Sequence, residues 1–136
     1  MAPIDSDTLH LSTRIDRPVQ DVYDYASVPS HLPEWAAGLG RTVEHRDGRW
    51  FADSPMGRVE VVFAPRNEFG VLDHDVTLPS GETVHNPVRV IADGAGCEVV
   101  FTLRRRPGMS DEEFRRDADT VTADLATLKE LVERGA

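Results

Sequence analysis

Apolar positions along the chain follow two periods, and the switch between them divides it. Between residues 110 and 134, Phe114, Ala118, Val121, Leu125, Leu128 and Val132 recur at steps of four and three, the spacing of one helical face. At about 100° per residue these six lie within about 40° of one direction, with Arg116, Asp119, Ala123, Thr127, Glu130 and Arg134 opposite. Pro107-Gly108 forces a turn ahead of the run, Ser110 and Glu113 spell a capping box, and Gly135 stands where a left-handed stop is expected. The spacing therefore predicts a helix about 37 Å long, at roughly 1.5 Å per residue, laid on an apolar surface that the rest of the chain supplies.

Residues 8–15 alternate, with Leu9, Leu11, Thr13 and Ile15 on one face, as in a half-buried strand. Asp16 offers an N-cap and Pro18 a first-turn residue for a short helix carrying Val19, Val22, Tyr23 and Ala26. A second short helix starts at Ser30, places Leu32, Trp35 and Leu39 on one side, and ends at Gly38-Leu39-Gly40. From Arg41 the period becomes two, which predicts strands over 42–46, 49–52, 58–64, 70–78, 82–92 and 97–105. Their links are short, so they pair as an antiparallel meander. Seven strands, two short helices after the first and a long helix last make an α+β fold. One helix cannot cover seven flat strands, so the sheet has to curl around it and enclose a space.

The loop Pro79-Ser80-Gly81, with glycine third, sets a register. It places Leu78 opposite Glu82, Val76 opposite Val84, Leu72 opposite Val88, and His74 opposite Asn86 on the inner face; Asp75 and His85 meet outside. Pro87 marks where pairing is expected to break or slip by one.

At 136 residues the chain fits one domain, residues 1–136. A net charge of −9 argues against nucleic acid and anionic membrane surfaces as partners. Lys129 is the sole lysine, which leaves little room for Schiff-base chemistry, and the lone Cys97 fits a reducing compartment. The first residues show no secretory leader and no apolar run reaches the roughly 18 residues of a membrane span, so a cytoplasmic location is expected.

Three segments carry a resemblance: Ile15-Asp16-Arg17-Pro18-Val19-Gln20-Asp21-Val22-Tyr23-Asp24-Tyr25, then Leu32-Pro33-Glu34-Trp35, then residues 96–131. With the order of elements, they resemble the START-like superfamily, also called SRPBCC or helix-grip, and within it the polyketide cyclase/dehydrase-type members. The resemblance implies a mostly apolar pocket between the long helix and the sheet. Members range over aromatase/cyclases, lipid and hormone carriers, quinone-binding proteins and co-chaperone domains, and shape does not choose among them. No family-wide catalytic motif carries over.

The residues themselves narrow the chemistry. His10, His31, His45, His74 and His85 are scattered, without HExxH, CxxC or a Cys/His cluster, so no metal and no cofactor is expected. Cys97 reads as a buried small hydrophobe, and Gly94-Ala95-Gly96 precedes a strand, which makes it a hairpin turn. Tyr23 and Trp35 read as core aromatics or as linings of the pocket mouth. Asp73 and Asp75 fall on the wet outer face, and Arg104-Arg105-Arg106 reads as a solvated strand end or as steering for an anion. His74 and Asn86 stand among apolar neighbours on the inner face, either as satisfied core residues or as the candidate catalytic pair. The expected walls are Val61, Phe63, Leu72, Val88, Phe101, Leu103, Val121 and Leu125, around a few hundred Å³. The expected function is binding of a hydrophobic or aromatic small molecule. A cyclase or dehydratase, a non-catalytic lipid or quinone carrier, and a co-chaperone or toxin-type interaction module stand as alternatives.

Overall fold

The structure, a computed structural model, describes residues 7–135. Residues 1–6, most of the stretch behind the expected absence of a secretory leader, lie outside the described residues. Its elements are β1 (Thr8–Ile15), α1 (Val19–Ala26), a 3₁₀ turn (Pro29–His31), α2 (Leu32–Trp35), β2 (Val43–Arg46), β3 (Arg49–Ser54), β4 (Gly57–Phe63), β5 (His74–Thr77), β6 (Thr83–Asn86), β7 (Val88–Asp93), β8 (Gly96–Arg104) and α3 (Asp111–Glu133). The capping box that starts α3 is present in both halves: Glu113 N–H donates to Ser110 Oγ at 3.1 Å, and Ser110 N–H to Glu113 Oε1 at 3.0 Å. Phe114, Leu125, Leu128 and Val132 of the apolar stripe are buried, and α3 packs along β1. Ala118 and Val121 are only half-buried.

The sheet is antiparallel throughout, in two sections ordered β2-β3-β4-β5-β6 and β1-β8-β7. There are eight strands instead of seven, because the run 82–92 divides at Pro87, which has no N–H for the ladder. Register nonetheless carries across the proline without slipping. His74 pairs with Asn86, Asp75 with His85 and Val76 with Val84. Beyond the break Val71 still bridges Arg89, Leu72 N–H reaches Val88 O at 2.8 Å, and Val90 N–H reaches Gly70 O at 2.8 Å. The Asp73 carboxylate takes the Val88 N–H at 2.9 Å, while Pro87 O accepts from Thr102 N–H on the far side at 2.9 Å. Residues 70–72 thus stitch the two sections into one curled wall, the helix-grip arrangement.

One helix start and one helix end differ from expectation. Asp16 does not cap α1; its N–H donates to Glu133 Oε2 at 2.8 Å and ties the end of β1 to α3. Pro18 takes the cap position with φ −59° and ψ 153°, without a side-chain bond, because its ring alone presets the turn. α2 stops at Trp35, so Leu39 lies in the following loop. Among the described residues no helix is long and apolar enough to cross a membrane.

Candidate functional site

Alternation aims every second residue of β5, β6 and β8 at α3. Val76 and Leu78, Val84, and Phe101 and Leu103 meet Val121 and Leu125 from the helix and Trp35, Ala36 and Leu39 from α2 and its loop. Between them lies a cavity of about 170 Å³. It reaches solvent where the exposed Met56, Arg104 and Thr120 border it.

His74 is the polar residue buried most completely, 5% exposed and alone in that class among the described residues. Its Nδ1 lies 3.2 Å from Leu72 O. A carbonyl only accepts, so Nδ1 carries the proton and Nε2 presents a lone pair. The ring packs against Phe63, tilted at 5.2 Å, and against Phe101, edge-on at 6.2 Å. Burial pushes its pKa below the ordinary histidine value; the bond to Leu72 and the outer carboxylates Asp73 and Asp75 pull weakly the other way. The imidazole is therefore neutral at pH 7. Asn86 lies directly across the strand pair and also lines the cavity.

The facing helix contributes Asp117 and Asp124, seven residues apart and flanking Val121. Burial pushes the Asp124 carboxyl up to about 6, against the backbone N–H groups of Gly38 and Ala37 that hold its charged form. Gly38 N–H is 3.3 Å from Asp124 Oδ2. Asp117 is raised too, by burial first, with Arg106 opposing. A neutral base on one wall thus faces carboxyls on the other that titrate nearer neutrality than usual. Among the described residues no group of three His, Cys, Asp or Glu side chains is placed to hold a metal.

A family model described as polyketide cyclase / dehydrase and lipid transport matches residues 7–133. The chain belongs to that family. No curated protein matches it in sequence. Among solved structures, Ara h 8.0201 is similar at 12% identity and a TM-score of 0.69, over 94% of this chain and 98% of its own. Truncated norcoclaurine synthase from Thalictrum flavum is similar at 13% identity and 0.64, over 100% and 98%. DynU16, from the dynemicin biosynthetic locus, is similar at 12% identity and 0.71, over 96% of this chain but 48% of its own length. At such identities the likeness is one of fold.

Within this family member, the cavity gathers Trp35, His74, Asn86, Phe101, Leu103, Val121 and Leu125 of the residues expected there. Five others lie elsewhere. Tyr23, Phe63 and Leu72 border a separate recess of about 220 Å³ under α1. Tyr23 is pinned there because its hydroxyl accepts Asn67 N–H at 2.9 Å and its ring sits 4.9 Å beneath the Arg66 guanidinium. Val61 and Val88, each 2% exposed, pack into the core and line neither space. The apolar space is thus split between two recesses, and the one that His74 lines, at about 170 Å³, is smaller than the expected few hundred Å³.

Three further assignments change. Asp73 is not on a wet face: its side chain is 14% exposed, with Arg89 Nε and Nη2 each 2.8 Å from its carboxylate. Arg105 is not a solvated strand end; it lies 4.8 Å over the Phe114 ring and pairs with Asp7 and Asp111. Arg104 and Arg106 border the cavity mouth. Cys97 is fully buried, and burial pushes its thiol up, which suits packing and not nucleophilic attack.

The acids on α3 were missed from sequence. Their signal is two carboxylates seven residues apart, beside Val121 on the edge of the apolar stripe, which reads equally as an ordinary polar margin. Asp124 also makes a stability prediction. Its folded pKa lies above the unfolded value of 3.8, so its charge costs stability above pH 6, and that cost fades as pH falls from 6 towards 4. Asp124→Asn is expected to raise stability at pH 7 by about 1 kcal/mol, after discounting for partial exposure. Thermal melts from pH 8 to 4 should show the variant's advantage shrinking as pH falls; an advantage that grows would contradict the assignment.

Proposed function

We propose that the chain is a single ligand-binding domain that takes a hydrophobic or aromatic small molecule into the cavity beneath α3 and acts on it as a cyclase or dehydratase. One observation carries this reading: an apolar cavity holds a buried, neutral His74 whose Nε2 has no protein partner among the described residues. Ring closure and loss of water both need a group to take a proton and another to give one back. His74 Nε2 takes one proton, the protonated fraction of Asp124 gives another from the opposite wall, and exchange with solvent restores both; Asn86 polarises the ligand's carbonyl. The walls hold a flexible molecule folded, which supplies proximity.

The family description also covers lipid transport, and a carrier needs the same pocket without the proton transfer. A cavity of about 170 Å³ is below the roughly 300 Å³ at which drug-sized pockets begin, which favours a compact ligand over a whole lipid. A buried free Cys97 and a net charge of −9 fit a cytoplasmic protein that does not engage nucleic acid. The test is where a neutral aromatic probe binds. Naphthalene followed by methyl NMR should perturb Val121 and Leu103, and perturbation away from the cavity would overturn the reading.

A further inference from the structure

Resting on the reading that this cavity takes a ligand, we infer that the ligand's polar end is a neutral hydroxyl, of phenol or enol type, which donates its proton in a hydrogen bond to His74 Nε2.

The tautomer decides the class. Leu72 O holds the Nδ1 proton at 3.2 Å, so the nitrogen left for a ligand can accept and cannot donate. Phe63 and Phe101 pack on the buried ring, with centroids 5.2 and 6.2 Å away, and the bond to Leu72 O favours this orientation over a flip that would exchange the nitrogens. A carbonyl or ether oxygen therefore finds no donor at His74. A carboxylate or phosphate meets a lone pair where it needs a proton, in a place where burial disfavours imidazolium.

The charged groups bordering the cavity do not alter this end of it. The acids nearest His74 in sequence, Asp73 and Asp75, lie on the other face of the sheet, with His85 3.7 Å and 2.6 Å from them. Arg106 is at the mouth, 3.8 Å from Glu82. Asp124 takes a backbone N–H from the 36–40 loop. Asn86 can both donate and accept, so it follows the ligand's group and does not select it. The walls, mostly aliphatic with Phe101 beside the imidazole, suit a body of about two fused rings.

The experiment is equilibrium dialysis of the purified protein against four probes sharing one body: naphthalene, 2-naphthol, 2-naphthoate and 2-(aminomethyl)naphthalene, at pH 7. A buried hydrogen bond to a neutral acceptor predicts 2-naphthol about three- to tenfold tighter than naphthalene. The naphthoate and the amine should bind more weakly than 2-naphthol. In His74→Phe, which keeps an aromatic ring against Phe63 and Phe101, 2-naphthol should fall to the level of naphthalene; if that variant does not fold, the wild-type order still decides. Equal binding of 2-naphthol and naphthalene would overturn the inference and leave the cavity reading standing. Tightest binding of the naphthoate would pass recognition to Arg104 and Arg106, and of the amine to Asp117 and Asp124; either overturns it. Failure of all four to bind would remove the cavity reading and this inference together.

Discussion

Leu128→Asp is expected to leave no cooperatively folded protein. Leu128 has 0% exposure and lies in the α3 stripe, outside the cavity lining. Losing the leucine costs about 2–3 kcal/mol of burial, and a carboxylate left in its place has no partner and no water. The sum reaches the 4–5 kcal/mol or more that single substitutions rarely exceed, against a total of about 5–15 kcal/mol for a domain. Leu125→Asp, one turn earlier, is the informative contrast. Leu125 is 2% exposed but borders the cavity, where a carboxylate can be hydrated. Circular dichroism melts should therefore show a weakened but measurable transition for Leu125→Asp and none for Leu128→Asp. Equal melts would contradict the placement of the cavity along the helix.

Gly70→Ala should lower stability by about 3 kcal/mol, and the melting temperature by roughly 10–15 °C. Gly70 has φ +71°, and an added Cβ would lie 2.3 Å from Val90 O, a backbone atom that cannot swing aside. The left-handed conformation alone costs a non-glycine residue about 1–2 kcal/mol. The clash then disturbs the bond from Val90 N–H to Gly70 O, one of those joining the two sheet sections. Gly48→Ala is the control. It shares a positive φ, +76°, but its Cβ would meet nothing within 4 Å, so only the conformational cost applies. Matching melts for the two variants would mean that the 70–72 stitch contributes little.

The parts of the fold that were legible in the sequence are those fixed by local rules. Ser110 and Glu113 announce the start of α3 because a capping box needs only four residues. The His74–Asn86 pairing follows from a three-residue loop and a period of two, since a slip of one would turn Val76 and Val84 outward. Pro87 was legible as a break but not as a place where register survives, because the compensating acceptor is the side chain of Asp73, fourteen residues away. What stayed hidden depends on three-dimensional packing. Alternation puts Phe63 and Leu72 on the face of His74, and nothing local says that they and Tyr23 border a second recess under α1. Asp124 reads in sequence as any helix-margin acid; its burial depends on the loop around Gly38 seated on α3, where a Cβ on Gly38 would come 2.5 Å from Thr120 Cγ2. Arg105 looked like a strand end, and its cover over Phe114 needed the turn at Pro107-Gly108 to bring helix and strand together.

The central claim, that an apolar space under α3 receives a small molecule, is tested most directly by mapping where naphthalene binds with methyl-labelled protein. The structure predicts saturable shifts at Val76, Val84, Leu103, Val121 and Leu125, all lining the cavity, with the outward Val62 and Ile91, 53% and 52% exposed, unmoved. Shifts confined to Val62 and Ile91, or none at saturating probe, would contradict it.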